Sequence, residues 1–442
     1  MFAQIFRELK YTFRLSVPIA VGLIGQGLFG VIDTLMVGNM LGEHALAAAT
    51  LANNVNYVPQ VVVVGLCSAI PVLTAQARGA GKDAAVPGVL RHGLLVCLGF
   101  SLVGAALVCA FSLFDGLAAL GQPENVAADA KIFSCIIALS VPAAAGFQAV
   151  KSFRDASGGQ WISLLWIALG LLANIFLNWA LMTGAFFFPN WGLEGAAAGT
   201  LFSRIFSFLG ITFHERLRCE FRNGFSLREL RENLRISLPS SLHILFEAGL
   251  FIVSPFFMGW IGEASIAANQ VAITISSLVY MCPLGISQAL SIRIGEAFGQ
   301  KDLPRIRTVF FGAALFTMAL MGFVALVQIY FRQQIPALFN LGETASLLAE
   351  NILLVAAAYM IFDAFQTVAA GALRGLGDVR FIAGAAFVSY WIVGCPTALI
   401  LAFPLGLGGV GVWIGLATGL ALSALILGAR MHKNLFRRRV FI

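Results

Sequence analysis

Three carboxylates, Asp33, Glu247 and Asp363, are the only ones of the chain's 21 acidic residues that lie well within its long apolar stretches. At mid-membrane an ionised carboxylate costs roughly 2.5–3.5 kcal/mol on insertion scales unless it faces a wet cavity or a partner. The chemistry suited to such a group is reversible cation binding, in which a carboxylate holds Na⁺ or H⁺ and its occupancy biases one arrangement of helices over another. The competing reading is a hydrogen-bonded helix–helix contact, for which Asn, Ser or Thr normally suffices. An intramembrane acid is by default a functional residue.

Neighbouring polar residues extend each acid. Asn174 and Asn178 are four apart, hence on one helix face, and offer neutral oxygens to a hard cation whose charge is balanced elsewhere. Tyr359 and Asp363 share that spacing, with Gln366 three residues on; His243 and Glu247 repeat it. For the Asn pair and for His243 an interhelical hydrogen bond explains the residues equally well, and His243 is not read as a metal ligand. At about 1.5 Å per residue, Asp33 lies roughly 27 Å beyond Leu15 at the start of its helix. That places it toward the far side, with Glu247 and Asp363 nearer the midplane, so the two halves could hold separate sites.

The elements that position these groups follow from composition. Of 442 residues, 59% are hydrophobic and 11% charged, against roughly 25% charged in an ordinary soluble domain. The mean hydropathy is +0.89. The expected fold class is therefore all-α integral membrane. Stretches of the ~20 apolar residues that a spanning helix needs fall at 15–37, 45–73, 87–113, 128–150, 160–187 and 193–213, then at 237–261, 265–291, 306–330, 346–371, 380–403 and 407–429. The first is longer than a signal-peptide core and lacks a convincing cleavage site, so it reads as a retained helix. Seven cysteines, all but Cys219 in apolar stretches and with no Cys-x-x-Cys pair, read as small core hydrophobes. Prolines in or beside the helices, such as Pro18 and Pro255, read first as static kinks.

All Lys and Arg except Lys131, Arg204 and Arg332 lie at the termini or in every second loop. Positive charge is retained on the cytoplasmic side, which predicts cytoplasmic termini. The net charge of +7 does not point to nucleic acid, because no basic patch is interleaved with aromatics. The polar run 214–236 near the middle reads as a linker between a lobe at 1–213 and a lobe at 237–429, followed by a basic tail at 430–442. A shift of 220 or 221 aligns Arg14, Ser16 and Pro18 with Arg235, Ser237 and Pro239, Gly42-Glu43 with Gly262-Glu263, Gly79 with Gly299, and Arg154 with Arg374. Six helices per repeat give both repeats the same orientation, and a cavity between such halves is the natural place for substrate.

The run VIDTLMVGNMLGEHALAAATLAN (31–53), the FEAG at 246–249 and YMIFDAFQTVAAGALRGLGD (359–378) resemble the multidrug and toxic compound extrusion (MATE) family, in its NorM-type branch. GLEGAAAGT and GLGGVGVWI, opening the sixth and twelfth helices, extend the resemblance over essentially the whole chain. It implies a twelve-helix, two-lobe fold and an antiporter that exports lipophilic, often cationic drugs and dyes in exchange for Na⁺ or H⁺. It further implies a C-lobe cation site at Glu247, Asp363 and Tyr359, with Na⁺ a candidate at the two acids. In the N-lobe it implies a cation or substrate site at Asp33, with Asn174, Asn178 and Thr200 around it. Relatives of the DinF branch carry an acid where Asn178 stands, which weakens transfer of their N-lobe proton mechanism.

Phe29, Met36, Phe246, Phe362, Phe365 and Gln366 are candidates for a substrate cavity, although packing explains each aromatic singly. The expected setting is a bacterial inner membrane, as a monomer in the lipid bilayer, with no cofactor beyond the coupling ion and no nucleic acid. A flippase for a lipid-linked precursor would call for a basic cavity, whereas the spans hold acids and one base, Arg204. A membrane-embedded enzyme would need a nucleophile or metal constellation, and the five His form no His-Glu-x-x-His motif.

Overall fold

The computed structural model describes residues 2–119, 124–185, 188–214, 225–339 and 341–436. In lipid every backbone polar group must be satisfied internally, which a helix achieves within one segment. Among the described residues twelve helices are long and apolar enough to cross a membrane, and no strand occurs. They are α1 Arg7–Leu41, α2 Glu43–Gly79, α3 Asp83–Leu113, α4 Asn125–Ser157, α5 Gln160–Thr183, α6 Gly192–His214, α7 Leu227–Ile261, α8 Glu263–Gly299, α9 Leu303–Phe331, α10 Glu343–Gly375, α11 Val379–Ala402 and α12 Gly408–Phe436. Large apolar side chains such as Leu107, Leu315 and Leu425 remain exposed, as suits a surface solvated by acyl chains.

Backbone conformation explains the tightest connections. α1 passes into α2 through Gly42, and α7 into α8 through Gly262, with φ of 88° and 143°. A side chain is disfavoured in that region, so the turns call for glycine. The two residues are the pair that the 220-residue shift aligns.

Glycine also sets helix spacing. A Cβ at Gly195 would stand 2.5 Å from the Leu181 carbonyl oxygen and one at Gly199 2.2 Å from Asn178 Oδ1, so α5 and α6 touch through a small-residue stripe. The same shift carries this pair onto Gly415 and Gly419, where α12 meets α11. There a Cβ at Gly415 would stand 2.4 Å from Ala398 Cα.

Two expectations about helix borders change. The expected linker at 214–236 includes residues 215–224, outside the described set, as is Cys219; from Leu227 onward the chain is already helical. Leu230 and Leu234 of that extension pack against the core containing Leu90 and Leu94, so the turn of helix is held by burial rather than left as a polar connection. The expected tail at 430–442 begins inside α12, which continues to Phe436; residues 437–442 lie outside the described set. Over Phe387–Gly394, α11 widens into a π-helical stretch that no residue pattern announces.

The chain forms two compact units. One comprises Met1–Ala20, Ala75–Gly81 and Leu242–Ile442; the other comprises Val21–Thr74 and Lys82–Ser241. The first has a core around Leu353, Tyr390, Trp413 and Leu420. The second has its larger cores around Leu66, Ile70 and Leu94 and around Val37, Ala49 and Phe133.

Candidate functional site

Asp33, on α1, meets α5 and α6 where the Gly195–Gly199 stripe draws those two helices together. Asn178 Nδ2 donates to Asp33 Oδ1 at 2.6 Å, and Thr200 Oγ1 to Oδ2 at 2.9 Å. Asn174 Nδ2 donates to Thr200 Oγ1 at 3.2 Å. The Thr200 hydroxyl has one proton for two acceptors, Asp33 and the Ala196 carbonyl 3.1 Å away. Asn174 and Asn178 are fully buried, and the Oδ1 atoms of both have no hydrogen-bond partner. The constellation thus joins a carboxylate to two amide side chains that each keep a spare neutral oxygen, that of Asn178 on the side of Gly199; carboxylate and amide oxygens are the ligand types of a hard cation, and the carboxylate alone can take a proton. Beside it lies a cavity of about 10 Å³ lined by Asp33, Thr34, Asn53, Phe133 and Thr200 among others, room for about one water.

In the other unit, Glu247 on α7 accepts from Tyr280 Oη of α8 at 3.5 Å, and its Oε2 lies 3.7 Å from His243 Nε2. Asp363, on α10 and buried, lies within electrostatic range of Glu247. The guanidinium of Arg374 lies within range of Glu247 as well. Neither ring nitrogen of His243 has a hydrogen bond. Ser287 Oγ donates to the Thr367 carbonyl at 2.7 Å, and Gly371 allows its backbone to approach Ser287; both contacts hold α8 close to α10. Tyr359 is buried with its ring stacked on Trp413 at 5.8 Å, and Trp413 Nε1 donates to Asn269 Oδ1 at 2.9 Å. Gln366 is fully buried; its Oε1 accepts from Thr367 and its Nε2 is unpaired.

The residues named from sequence therefore gather into two groups. Asp33, Asn174, Asn178 and Thr200 share one network, and Glu247 and Asp363 share one buried region. Of the cavity candidates, Phe29 lines a second, larger cavity of about 210 Å³ in the Asp33 unit. Met36 packs against the core holding Val37 and Ala49. Phe246 contacts Phe387 at 5.2 Å, Phe365 packs between Phe310 and Gly428, and Phe362 is exposed. Tyr280 was not found from sequence. It is one of six Tyr, in the middle of an apolar run, and its partner Glu247 is 33 residues away, beyond any local spacing rule.

The MatE family model matches residues 18–180 and again 239–400. The two matches are offset by 220 or 221 residues, the shift that aligns the halves. The chain is 35% identical to a probable multidrug resistance protein NorM of Bradyrhizobium diazoefficiens, over 98% of this chain and 95% of that one. It is 30% identical to the multidrug resistance protein NorM of Aliivibrio fischeri, covering 96% of this chain and 94% of that one. Among solved structures, the eukaryotic MATE transporter AtDTX14 superposes with a TM-score of 0.88 at 24% identity over 99% of both chains. The Vibrio cholerae MATE transporter VcmN, in its bent form, superposes with a TM-score of 0.86 at 19% identity over 100% of both. These two likenesses bear on the fold.

Proposed function

The chain belongs to the MatE family, and from that premise we propose that it is a multidrug efflux antiporter exporting lipophilic, often cationic compounds in exchange for Na⁺ or H⁺. The observation that carries the coupling step is the Asp33 network: a carboxylate with its two donors in place and two buried amide oxygens left without partners. A cation entering that set finds the Asp33 carboxylate and, on neighbouring side chains, amide oxygens that have no protein partner. Glu247 and Asp363 supply a second place for positive charge, since two carboxylates in one buried region repel until a cation or a proton joins them.

Coupling requires that drug and cation favour different states, or compete for the same carboxylates, because a ligand indifferent to both states shifts nothing. Alternating access would then move the lobe at 1–213 against the lobe at 237–429, with both termini cytoplasmic and the protein a monomer in a bacterial inner membrane. The test is dye efflux from proteoliposomes under imposed Na⁺ or pH gradients, comparing wild type with Asp33→Asn, Glu247→Gln and Asp363→Asn. Full gradient-driven transport by all three neutral variants would overturn the coupling reading.

A further inference from the structure

The leading ends of α1 and α7 repeat one pattern far from the carboxylate sites. Under the shift of 221, Arg7, Lys10, Arg14, Val17 and Val21 align with Arg228, Arg231, Arg235, Leu238 and Leu242. Every one of these side chains is exposed. Their alternating spacing of three and four residues puts each set on one helix face, where three cations in succession give way to two aliphatic side chains. The opposite face of each end is committed inward. Glu8 pairs with Arg293 and lies 3.8 Å from Arg305 Nε; its equivalent Glu229 lies 3.0 Å from His92 Nδ1 and 3.9 Å from Arg91 Nη2. Thr12 and Ser16 are buried, as are their equivalents Asn233 and Ser237. The stripe cations, by contrast, form no ion pair among the described residues.

Retention of positive charge on one side of a membrane accounts for the number of these cations. It does not account for their confinement to one face, for the aliphatic continuation of that face, or for its repetition in both halves. Such a stripe matches a phospholipid lying along the helix: phosphate oxygens meet Lys and Arg at the membrane surface, and an acyl chain follows the aliphatic side chains inward. At 1.5 Å per residue the three charges span roughly 10 Å of helix, so a single negative headgroup comes within reach of more than one. A zwitterionic headgroup brings its own cation into the stripe and gains less. We propose that α1 and α7 each carry a binding stripe for an anionic phospholipid, in the leaflet on the side of the N-terminus, with Arg7, Lys10 and Arg14 holding the headgroup on α1 and Arg228, Arg231 and Arg235 holding it on α7. The α1 stripe is the stronger, because Glu232 is exposed beside the α7 cations where α1 has Tyr11. The inference rests on these helices crossing a membrane and not on the efflux reading.

The test compares dioleoyl phosphatidylglycerol with dioleoyl phosphatidylcholine, which share their acyl chains, on the purified full-length protein in detergent. Native mass spectrometry ranks the affinity of each lipid, and the unfolding midpoint is followed as each is added. Wild type is expected to bind phosphatidylglycerol more tightly and to be stabilised by it more. The triple variant Arg7→Gln, Lys10→Gln and Arg14→Gln is expected to weaken phosphatidylglycerol about tenfold or more and to move phosphatidylcholine less than about twofold. Arg228→Gln, Arg231→Gln and Arg235→Gln together are expected to act in the same direction with a smaller effect. The control is Lys82→Gln, Lys301→Gln and Arg380→Gln, which removes the same charge from exposed positions off the stripes and is expected to change either lipid less than about twofold. All of these side chains are exposed, so the fold is expected to persist in each variant, with an unchanged lipid-free unfolding midpoint as the check. Soluble glycerol phosphate is expected not to displace phosphatidylglycerol. Equal affinity of wild type for the two lipids, equal losses in the stripe and control variants, or displacement by glycerol phosphate at matched concentration each overturns the lipid stripes.

Discussion

Gly79 and Gly299 pack reciprocally at the ends of α2 and α8. A Cβ at Gly79 would stand 2.1 Å from the Glu296 carbonyl oxygen, and one at Gly299 2.3 Å from that of Gln76. Residues 76 and 79 map onto 296 and 299 by the one shift of 220, so the two ends of the repeat touch each other through equivalent positions. The clashing atoms are backbone, which yields little. Gly79→Ala and Gly299→Ala are each expected to cost about 1–3 kcal/mol, the range for overpacking, read as a lowered unfolding midpoint in detergent. Gly322→Ala is the control: inside α9 with open space around it, it is expected to be neutral or to gain up to about 1 kcal/mol from helix propensity.

Gly199→Ala links packing to the site. Its Cβ would meet Asn178 Oδ1 at 2.2 Å and Asn178 N at 2.8 Å, so α5 must move away or Asn178 must turn from Asp33. Gradient-driven dye efflux is expected to fall at least tenfold, close to the effect of Asp33→Asn, while Gly195→Ala, whose contacts lie at Leu181 one turn away, lowers stability with a smaller loss of transport. Equal transport losses in the two glycine variants would separate the stripe from the acid.

Much of this architecture is legible in the sequence. Twelve apolar stretches become twelve helices because lipid leaves the backbone no other single-segment solution, and Asp33 stands out because charge in such a stretch needs a reason. Asn174 and Asn178 are legible too, since four residues make one face. What escapes are relations between distant elements. Nothing near Tyr280 in sequence indicates Glu247. The helical extension at Leu227 escapes because six Arg between 216 and 235 weigh as a polar linker, while Leu230 and Leu234 among them bury against α3. Periodicity is likewise silent on the π-helical stretch of α11.

Tyr280 and Glu247 differ in what their removal takes away. The hydroxyl reaches the carboxylate at 3.5 Å, the outer limit of a hydrogen bond, so Tyr280→Phe is expected to change the apparent affinity for the coupling ion by less than about threefold. Glu247→Gln removes a charge and is expected to change it tenfold or more, measured as the Na⁺ or H⁺ concentration giving half-maximal efflux. A Tyr280→Phe effect as large as that of Glu247→Gln would mean that the hydroxyl itself holds the ion.

Ligand linkage decides which carboxylate set binds the coupling cation. An ion that binds only the folded protein stabilises it by RT ln(1 + [L]/Kd), about 2.7 kcal/mol at a hundredfold excess over Kd. If Na⁺ is the coupling ion, exchanging choline for Na⁺ at constant ionic strength is expected to raise the wild-type unfolding midpoint. The rise should vanish in the neutral variants of one carboxylate set and persist in those of the other. Loss in Asp33→Asn assigns the ion to the set with the unpaired Asn174 and Asn178 oxygens; loss in Glu247→Gln and Asp363→Asn together assigns it to the paired acids. A midpoint indifferent to Na⁺ in wild type, with efflux still driven by a pH gradient, makes the proton the coupling ion. Swapping Asp33 for Asn removes a charged acceptor whichever ion is used, so the stabilisation, rather than transport alone, tells the two sites apart.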